Sequence, residues 1–233
     1  TNALFNPKIV HEEEKKIKLK AVEVIEFLNL TQLSKELAGN LSGGQKKLLE
    51  LGRTMMVDAK LVLLDEVGAG VNRTLLKDIG SAILRLNKEK GYTFCMIEHD
   101  MDFISRLCNP VIVMAEGSVL FKGTSDEVKN NEQVIESYLG RGSKTRNGVK
   151  WMPFFIGENM TGGYGGPDII TSCTVNVNRG EIVAILGPNG AGKSTAMKAM
   201  LGLLNLKSGK ISIDGKDISK LTPQDRVREG ISF

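Results

Sequence analysis

A glycine-rich stretch near the carboxyl end of the chain has the residue types that bind phosphate in proteins. It reads GPNGAGKS from Gly187 to Ser194 and fits the pattern G-x-x-x-x-G-K-[ST]. We expect its backbone N–H groups to hold a β-phosphate and Lys193 to supply a cation to the β- and γ-phosphates. The Ser194 hydroxyl should ligate Mg²⁺, and Thr195 should reach the α-phosphate. The predicted phosphate-binding residues are Asn189, Gly190, Ala191, Gly192, Lys193, Ser194 and Thr195.

A second stretch, far upstream, reads LSGGQ from Leu41 to Gln45. Two glycines at the start of a predicted helix leave backbone N–H groups bare where the helix dipole favours an anion. An ordinary serine N-cap would explain Ser42, but not two glycines and a glutamine in this order. We therefore predict an anion-contacting group made of Ser42, Gly43, Gly44 and Gln45.

Polar side chains follow two short apolar runs, each predicted to be a buried parallel strand. Asp65 and Glu66 come directly after the first run, and His99 follows the second. Because ligands bind at the carboxyl edge of such sheets, we expect Asp65 to hold Mg²⁺ and Glu66 to act as the base for a water. His99 can hydrogen-bond that water or the γ-phosphate. The alternatives are a solvated acidic turn and a structural histidine.

The predicted elements give these residues an α/β frame. The phosphate loop lies between a buried strand at 181–186 and a helix at 193–203, the context that its pattern demands. Residues 141–150 form a polar, basic linker, and short strands and turns follow it. One turn carries Tyr164, which can stack on an adenine ring or be an ordinary turn aromatic. The other predicted helices are 11–30, 45–57, 73–90 and 101–108, and the other predicted strands include 60–64, 92–97, 111–114, 118–122, 151–158 and 169–178.

Composition narrows the classes of function. The chain has 233 residues, a hydrophobic fraction of 41% and a net charge of +4, which is typical of a globular protein and gives no argument for nucleic acid. The three cysteines are widely spaced and indicate reduced thiols in a cytoplasmic protein. No apolar run approaches the ~20 residues that span a bilayer. Both ends look cut.

Taken together, these motifs resemble the ATP-binding subunits of ABC transporters. LSGGQ is similar to the signature motif, LVLLDE to Walker B, EHD to the switch-histidine loop and GPNGAGKST to Walker A. The D-loop wording, the EHDM sequence, SYLG at 137–140 and the GYGG turn resemble the branched-chain amino-acid importers in particular. The D-loop residues implied by the resemblance are Ala69, Gly70, Val71 and Asn72.

The order of the motifs departs from the family, in which Walker A precedes the signature. Residues 1–140 resemble the carboxyl part of one ATPase and residues 151–233 the amino part of another. The resemblance implies a P-loop fold with a mostly parallel core sheet, a small antiparallel β-subdomain and a partial helical subdomain, in circularly permuted order. The family's Q-loop glutamine has no counterpart. We expect the two parts to dock as one domain, with the Walker B strand beside the Walker A strand; the alternative is a swap between chains.

The resemblance implies an ATPase that uses ATP and Mg²⁺ to drive import of amino acids. Its partners would be a second ATPase protomer, whose ATP the signature residues contact, and transmembrane permease subunits served by a periplasmic solute-binding protein. It would lie at the inner face of the cell membrane. The alternatives are an ATP-binding remnant without hydrolysis, because the Q-loop is missing, and a soluble ABC ATPase that acts on nucleic acid or ribosomes.

Overall fold

The computed structural model describes residues 7–138 and 153–233. These residues form two compact units that meet in sequence between Asp58 and Ala59. The predicted linker at 141–150 lies outside the described residues, as do residues 139–140 of the SYLG sequence.

The first unit is helical. Helix α1 spans Pro7–Phe27 and helix α2 spans Gly43–Met56, with two short 3-10 turns between them. Gly52 of α2 faces α1, and a Cβ atom there would lie 2.8 Å from Leu28 Cδ1 and 3.1 Å from Val24 Cγ1. The glycine therefore lets the two helices approach closely. The predicted 11–30 helix is confirmed with earlier bounds at both ends.

The second unit is built on a six-stranded sheet whose order is β10-β1-β2-β7-β3-β4. All neighbouring strands are parallel except β3 and β4, which form an antiparallel hairpin. The strands are β1 Leu61–Asp65, β2 Thr93–Ile97, β3 Val111–Ala115, β4 Ser118–Gly123, β7 Ile182–Leu186 and β10 Ile231–Ser232.

Strands from both sides of residues 139–152 alternate within this sheet. Strand β7 follows that segment in sequence, yet it pairs with β2 on one side and β3 on the other. The prediction that the Walker B strand lies beside the Walker A strand is wrong, because β2 separates β1 from β7. All five residues of β2 are buried, so both faces of the sheet are covered at this strand, and both of its edges are paired.

A second, antiparallel sheet has the order β6-β5-β8-β9. Its strands are β5 Phe155–Gly162, β6 Ile170–Val177, β8 Ser208–Ile213 and β9 Lys216–Asp217. The predicted strand at 151–158 begins later, and residues 151–152 lie outside the described part of the chain. The register of β5 shifts between Gly157 and Met160, so bulges extend the strand to Gly162.

Helices surround the parallel sheet and supply the caps that fix their own ends. Asn72 caps α3 at its first turn, Asp100 caps α4, and Thr124 forms a capping box with Glu127 on α5. The helices are α3 Arg73–Lys90, α4 Met101–Leu107, α5 Ser125–Lys129, α6 Glu132–Tyr138, α7 Lys193–Leu201 and α8 Pro223–Arg228. One apolar cluster of both sheets and α7 forms the core of this unit.

Candidate functional site

The phosphate loop joins the end of β7 to the start of α7, as the pattern predicts. Its glycines at 187, 190 and 192 all have positive φ angles, of 152°, 84° and 89°. A Cβ atom at Gly187 would lie 2.2 Å from the Met114 carbonyl oxygen, and one at Gly192 would lie 2.9 Å from Ile170 Cγ2. Only glycine allows this backbone and these close approaches, so the loop keeps a concave row of N–H groups at the helix start.

Lys193 is the first residue of α7, and its ammonium group folds back over the loop. Its Nζ atom donates to the Gly187 carbonyl at 2.8 Å and to the Pro188 carbonyl at 3.1 Å. Burial lowers the pKa of Lys193, and the carboxylates of Glu66 and Asp65 oppose that shift. The same interaction shows that both acids lie within electrostatic reach of the phosphate loop.

The acids and the loop lie at the same edge of the sheet because three parallel strands end at the same level. Asp65 is paired in register with Ile97, and Ile97 with Ile185. The phosphate loop therefore starts two residues past the level at which Asp65 ends β1. This edge is where parallel α/β sheets place their ligands.

Glu66 and His99 contact each other at this edge. His99 Nε2 lies 3.1 Å from Glu66 Oε1, and both side chains are about half exposed. Glu66 adopts a left-handed backbone, with φ of 50°, while its N–H donates to the Ile97 carbonyl at 2.9 Å. A non-glycine residue in this conformation is strained, and such strain is often found at functional sites. The structure thus brings together the two residues predicted to handle the water.

Glu98, which the sequence reasoning did not select, is buried directly behind this pair. Its side chain is 4% exposed; Oε1 accepts the Gly68 N–H at 2.6 Å and Oε2 accepts the His99 N–H at 3.2 Å. Burial raises the pKa of the Glu98 carboxyl, and the two N–H groups oppose that rise. The sequence signal for Glu98 is an acid directly after a fully buried strand. The prediction selected the neighbouring His99 instead.

The four predicted D-loop residues form turns between Glu66 and α3. The Ala69 N–H donates to the Glu66 carbonyl at 3.1 Å, and the Val71 N–H donates to the Gly68 carbonyl at 3.2 Å. Asn72 Oδ1 accepts the Leu75 N–H at 2.9 Å. The Asn72 side chain therefore starts a helix, and Gly70 supplies the left-handed turn with φ of 71°.

The LSGGQ residues lie at the start of α2, in the first unit. Ser42 Oγ accepts the Gln45 N–H at 3.4 Å, and Gln45 Oε1 accepts the Ser42 N–H at 2.8 Å. This is a capping box, so both side chains have a structural role that the sequence reasoning gave to Ser42 alone. Packing around the cap does not require a glycine at position 43, because a Cβ atom there would have no neighbour within 4 Å.

Tyr164 lies in the turn between β5 and β6 and is 56% exposed. The Nζ atom of Lys198, on α7, lies 5.4 Å from the centre of its ring. The ring is therefore near the helix that begins with Lys193, and stacking on adenine stays a prediction.

The oxygen donors here fit Mg²⁺. Among the described residues, no group of three His, Cys, Asp or Glu side chains could hold a metal ion. Mg²⁺ commonly takes one or two protein oxygens and completes its shell with water and substrate phosphates. The Asp65 carboxylate and the Ser194 hydroxyl are donors of that kind.

None of the helices in residues 7–138 and 153–233 is long and apolar enough to cross a bilayer.

Comparisons with known proteins identify the family of the chain. The family model "ABC transporter" matches residues 1–69 and 170–233, which together are more than half of the chain. A second family model, the branched-chain amino acid ATP-binding cassette transporter, matches residues 118–144. The LSGGQ and Asp65–Glu66 motifs fall in the first matched segment, and the phosphate loop falls in the second.

The alignments with individual proteins cover only part of this chain and part of each relative. The probable branched-chain amino acid transport ATP-binding protein LivG of Archaeoglobus fulgidus is 43% identical over 55% of this chain and 50% of its own. A nucleotide-free ATP-binding cassette from an ABC transporter is 38% identical, with a TM-score of 0.51 over 60% of this chain and 56% of that chain. An ATP-binding cassette solved in its ADP conformation is 38% identical in sequence and has a TM-score of 0.50. The alignment covers 54% of this chain and 51% of that chain. The chain spans about half the length of the curated relatives it matches.

Proposed function

Since the chain belongs to the ABC transporter ATP-binding family, we propose that it binds ATP and hydrolyses it to ADP and phosphate. The observation that supports the proposal is the common level of three strand ends, which brings the phosphate loop and the Glu66–His99 pair to the same edge of the sheet.

ATP binding rests on the phosphate loop. Its backbone N–H groups and the positive end of α7 attract the β- and γ-phosphates. Lys193 exchanges its two carbonyl partners for phosphate oxygens, which gains a charge-assisted bond in place of neutral ones. Tyr164 provides the aromatic face for the adenine ring.

Hydrolysis rests on Glu66 and His99. Glu66 orients a water and accepts its proton as the water oxygen attacks the γ-phosphorus and the bond to the bridging oxygen breaks. His99, hydrogen-bonded to Glu66, holds the γ-phosphate or the same water. When bound, Mg²⁺ neutralises charge that develops on the phosphates, and Asp65 and Ser194 would hold it.

The two parts of the chain work as one permuted nucleotide-binding domain in this proposal. The alternation of β1, β2, β7 and β3 supports it, because neither part alone supplies a complete parallel sheet. A second copy then completes each site: Ser42, Gly43, Gly44 and Gln45 of one chain contact the ATP held by the other, with Ala69, Gly70, Val71 and Asn72 at the contact between copies.

The energy of hydrolysis would drive import of a branched-chain or other amino acid. The match at residues 118–144 and the name of the Archaeoglobus relative support this substrate class. The chain would work with transmembrane permease subunits at the inner face of the cell membrane.

Steady-state phosphate release with MgATP tests the central proposal. We expect turnover by the parent chain and its loss in Glu66→Gln, which keeps the size of the side chain but removes the base. Lys216→Ala, which removes one exposed member of an ion pair with Glu229, should keep parental turnover. A parent chain that binds ATP without Mg²⁺-dependent turnover would contradict hydrolysis and favour the ATP-binding remnant.

A further inference from the structure

The ends of β1 and β2 are joined by more than the sheet ladder. The Ile97 carbonyl accepts the Glu66 N–H at 2.9 Å, and one residue later the Glu98 carboxylate accepts the Gly68 N–H at 2.6 Å. Ile97, the last residue of β2, and Glu98, which follows it, thus hold the N–H groups on either side of Val67. The loop that starts with Glu66 is fixed at both of these points.

The same carboxylate also fixes His99. Glu98 Oε2 accepts the His99 N–H at 3.2 Å, while the His99 ring meets Glu66 Oε1 at 3.1 Å. A closed ring of contacts results, running from the Glu66 carboxylate through His99 to Glu98, then to Gly68 and back along the chain. Within this ring, the Glu98 carboxylate accepts hydrogen bonds from the backbone N–H groups of both Gly68 and His99.

We infer that Glu98 is a positioning residue that sets the geometry of Glu66 and His99 through the N–H groups of Gly68 and His99. Glu98 lies behind the pair and is buried, so it acts through its neighbours and does not touch a substrate. An ionised carboxylate can accept both N–H groups at once, which an amide of the same shape cannot do. The inference rests on the proposed hydrolysis only in its kinetic consequence.

Gly68 gives an independent view of the same carboxylate. A Cβ atom at Gly68 would lie 3.3 Å from Glu98 Oε1 and 3.4 Å from Oε2. The absence of a side chain at residue 68 lets the carboxylate approach the backbone to 2.6 Å. Gly68→Ala therefore disturbs the contact from the opposite side and leaves Glu98 itself unchanged.

The test compares Glu98→Gln and Gly68→Ala with a matched control, Glu181→Gln. Glu181 also accepts a backbone N–H, from Asn178 at 2.8 Å, but it does so at the turn before β7, at the other end of that strand. The chain has only two histidines, so the imidazole resonances of His99 can be resolved once His11 is replaced. These resonances report the contact with Glu66 whether or not the chain hydrolyses ATP.

We expect both site variants to move the His99 imidazole resonances, while Glu181→Gln leaves them in place. The turnover number for ATP should fall roughly 10- to 100-fold because the pair is displaced, with the ATP dissociation constant unchanged because the phosphate loop is intact. His99 resonances and turnover equal to those of the parent in both variants would overturn the inference. If the parent binds ATP but shows no turnover, the proposed hydrolysis fails and the resonances alone decide the role of Glu98.

Discussion

Lys193 shows how a single residue prepares the site. Its ammonium is held by two carbonyls of the same loop. Burial lowers the pKa of Lys193, yet both carboxylates favour its charged form. In the proposed ATP complex, the cation exchanges these two carbonyl partners for phosphate oxygens.

Replacing Lys193 with alanine should weaken ATP binding. The loss of one charge-assisted contact, worth about 1.5–3 kcal/mol, predicts an affinity roughly 10- to 100-fold lower. Titration calorimetry with a non-hydrolysable ATP analogue measures the effect. Lys216→Ala, an exposed lysine of the antiparallel sheet, is the control and should bind like the parent. Equal affinities in all three proteins would contradict the assigned role.

The three thiols give a prediction about pH. Burial raises the pKa of Cys95, Cys108 and Cys173 from 9.0 to about 12. The folded chain therefore keeps these protons between pH 9 and about 12 while the unfolded chain loses them, so the free energy of unfolding should fall as the pH rises through that window. Below pH 9 these thiols should not react with a disulfide reagent until the chain unfolds. Rapid labelling of the folded chain at pH 8 would show that their burial is wrong.

At the scale of elements, α7 is fixed at both ends. Its first residue, Lys193, follows directly on the glycines of the phosphate loop, and its last carbonyls accept hydrogen bonds from the buried Arg226 of α8. The guanidinium donates to the carbonyls of Ala199 and Met200 at 2.9 Å each, and also to those of Ser219 and Leu221. Helix carbonyls at a carboxyl end attract cations, which suits this contact. The helix that carries Lys193 is thereby held against the core.

Replacing Arg226 with methionine should destabilise the second unit. Four carbonyls, two of them in fully buried hydrogen bonds, would lose a charged donor, at a cost of about 3–5 kcal/mol, which lowers the Tm by roughly 10 °C. Thermal unfolding followed by circular dichroism measures the shift. Arg228→Met is the matched control, because Arg228 lies on the same helix with a side chain that is 79% exposed, and its change should stay within about 0.5 kcal/mol. Similar Tm values for both variants would show that the contact is unimportant.

The elements were largely predictable where a local pattern determines them. Helix α3 begins at Arg73 and ends at Lys90 as predicted, because Asn72 caps its start and Gly91 ends it with a left-handed turn. The order of strands was not predictable, since it depends on which fully buried strands meet in three dimensions; β2 therefore lies, unexpectedly, between β1 and β7. Strand β5 was misplaced because its bulges break the alternation that marks a strand.

The site was predictable to the same extent. Lys193, Glu66 and His99 stand at strand ends or in a glycine pattern that the sequence displays directly. Glu98 was missed because its role depends on burial and on an N–H thirty residues away in sequence. The capping role of Gln45 was missed because its neighbours pointed to a ligand.

At the scale of the whole molecule, one parallel sheet joins two segments whose motifs are separated in sequence. The parallel sheet brings the second segment's phosphate loop and the first segment's acids to the same edge, with β2 between their two strands. The LSGGQ group lies in a separate helical unit, and we propose that it serves a second copy. A complete site would then require ATP and two chains.

The most direct test is the solution mass of Glu66→Gln by light scattering, with and without MgATP. Blocked hydrolysis should trap two chains around bound ATP, so the account predicts a monomer that becomes a dimer only when ATP is present. A dimer without ATP would indicate that segments are exchanged between chains. A monomer that does not change at saturating ATP would contradict the claim that two copies of this chain form a working ATP site.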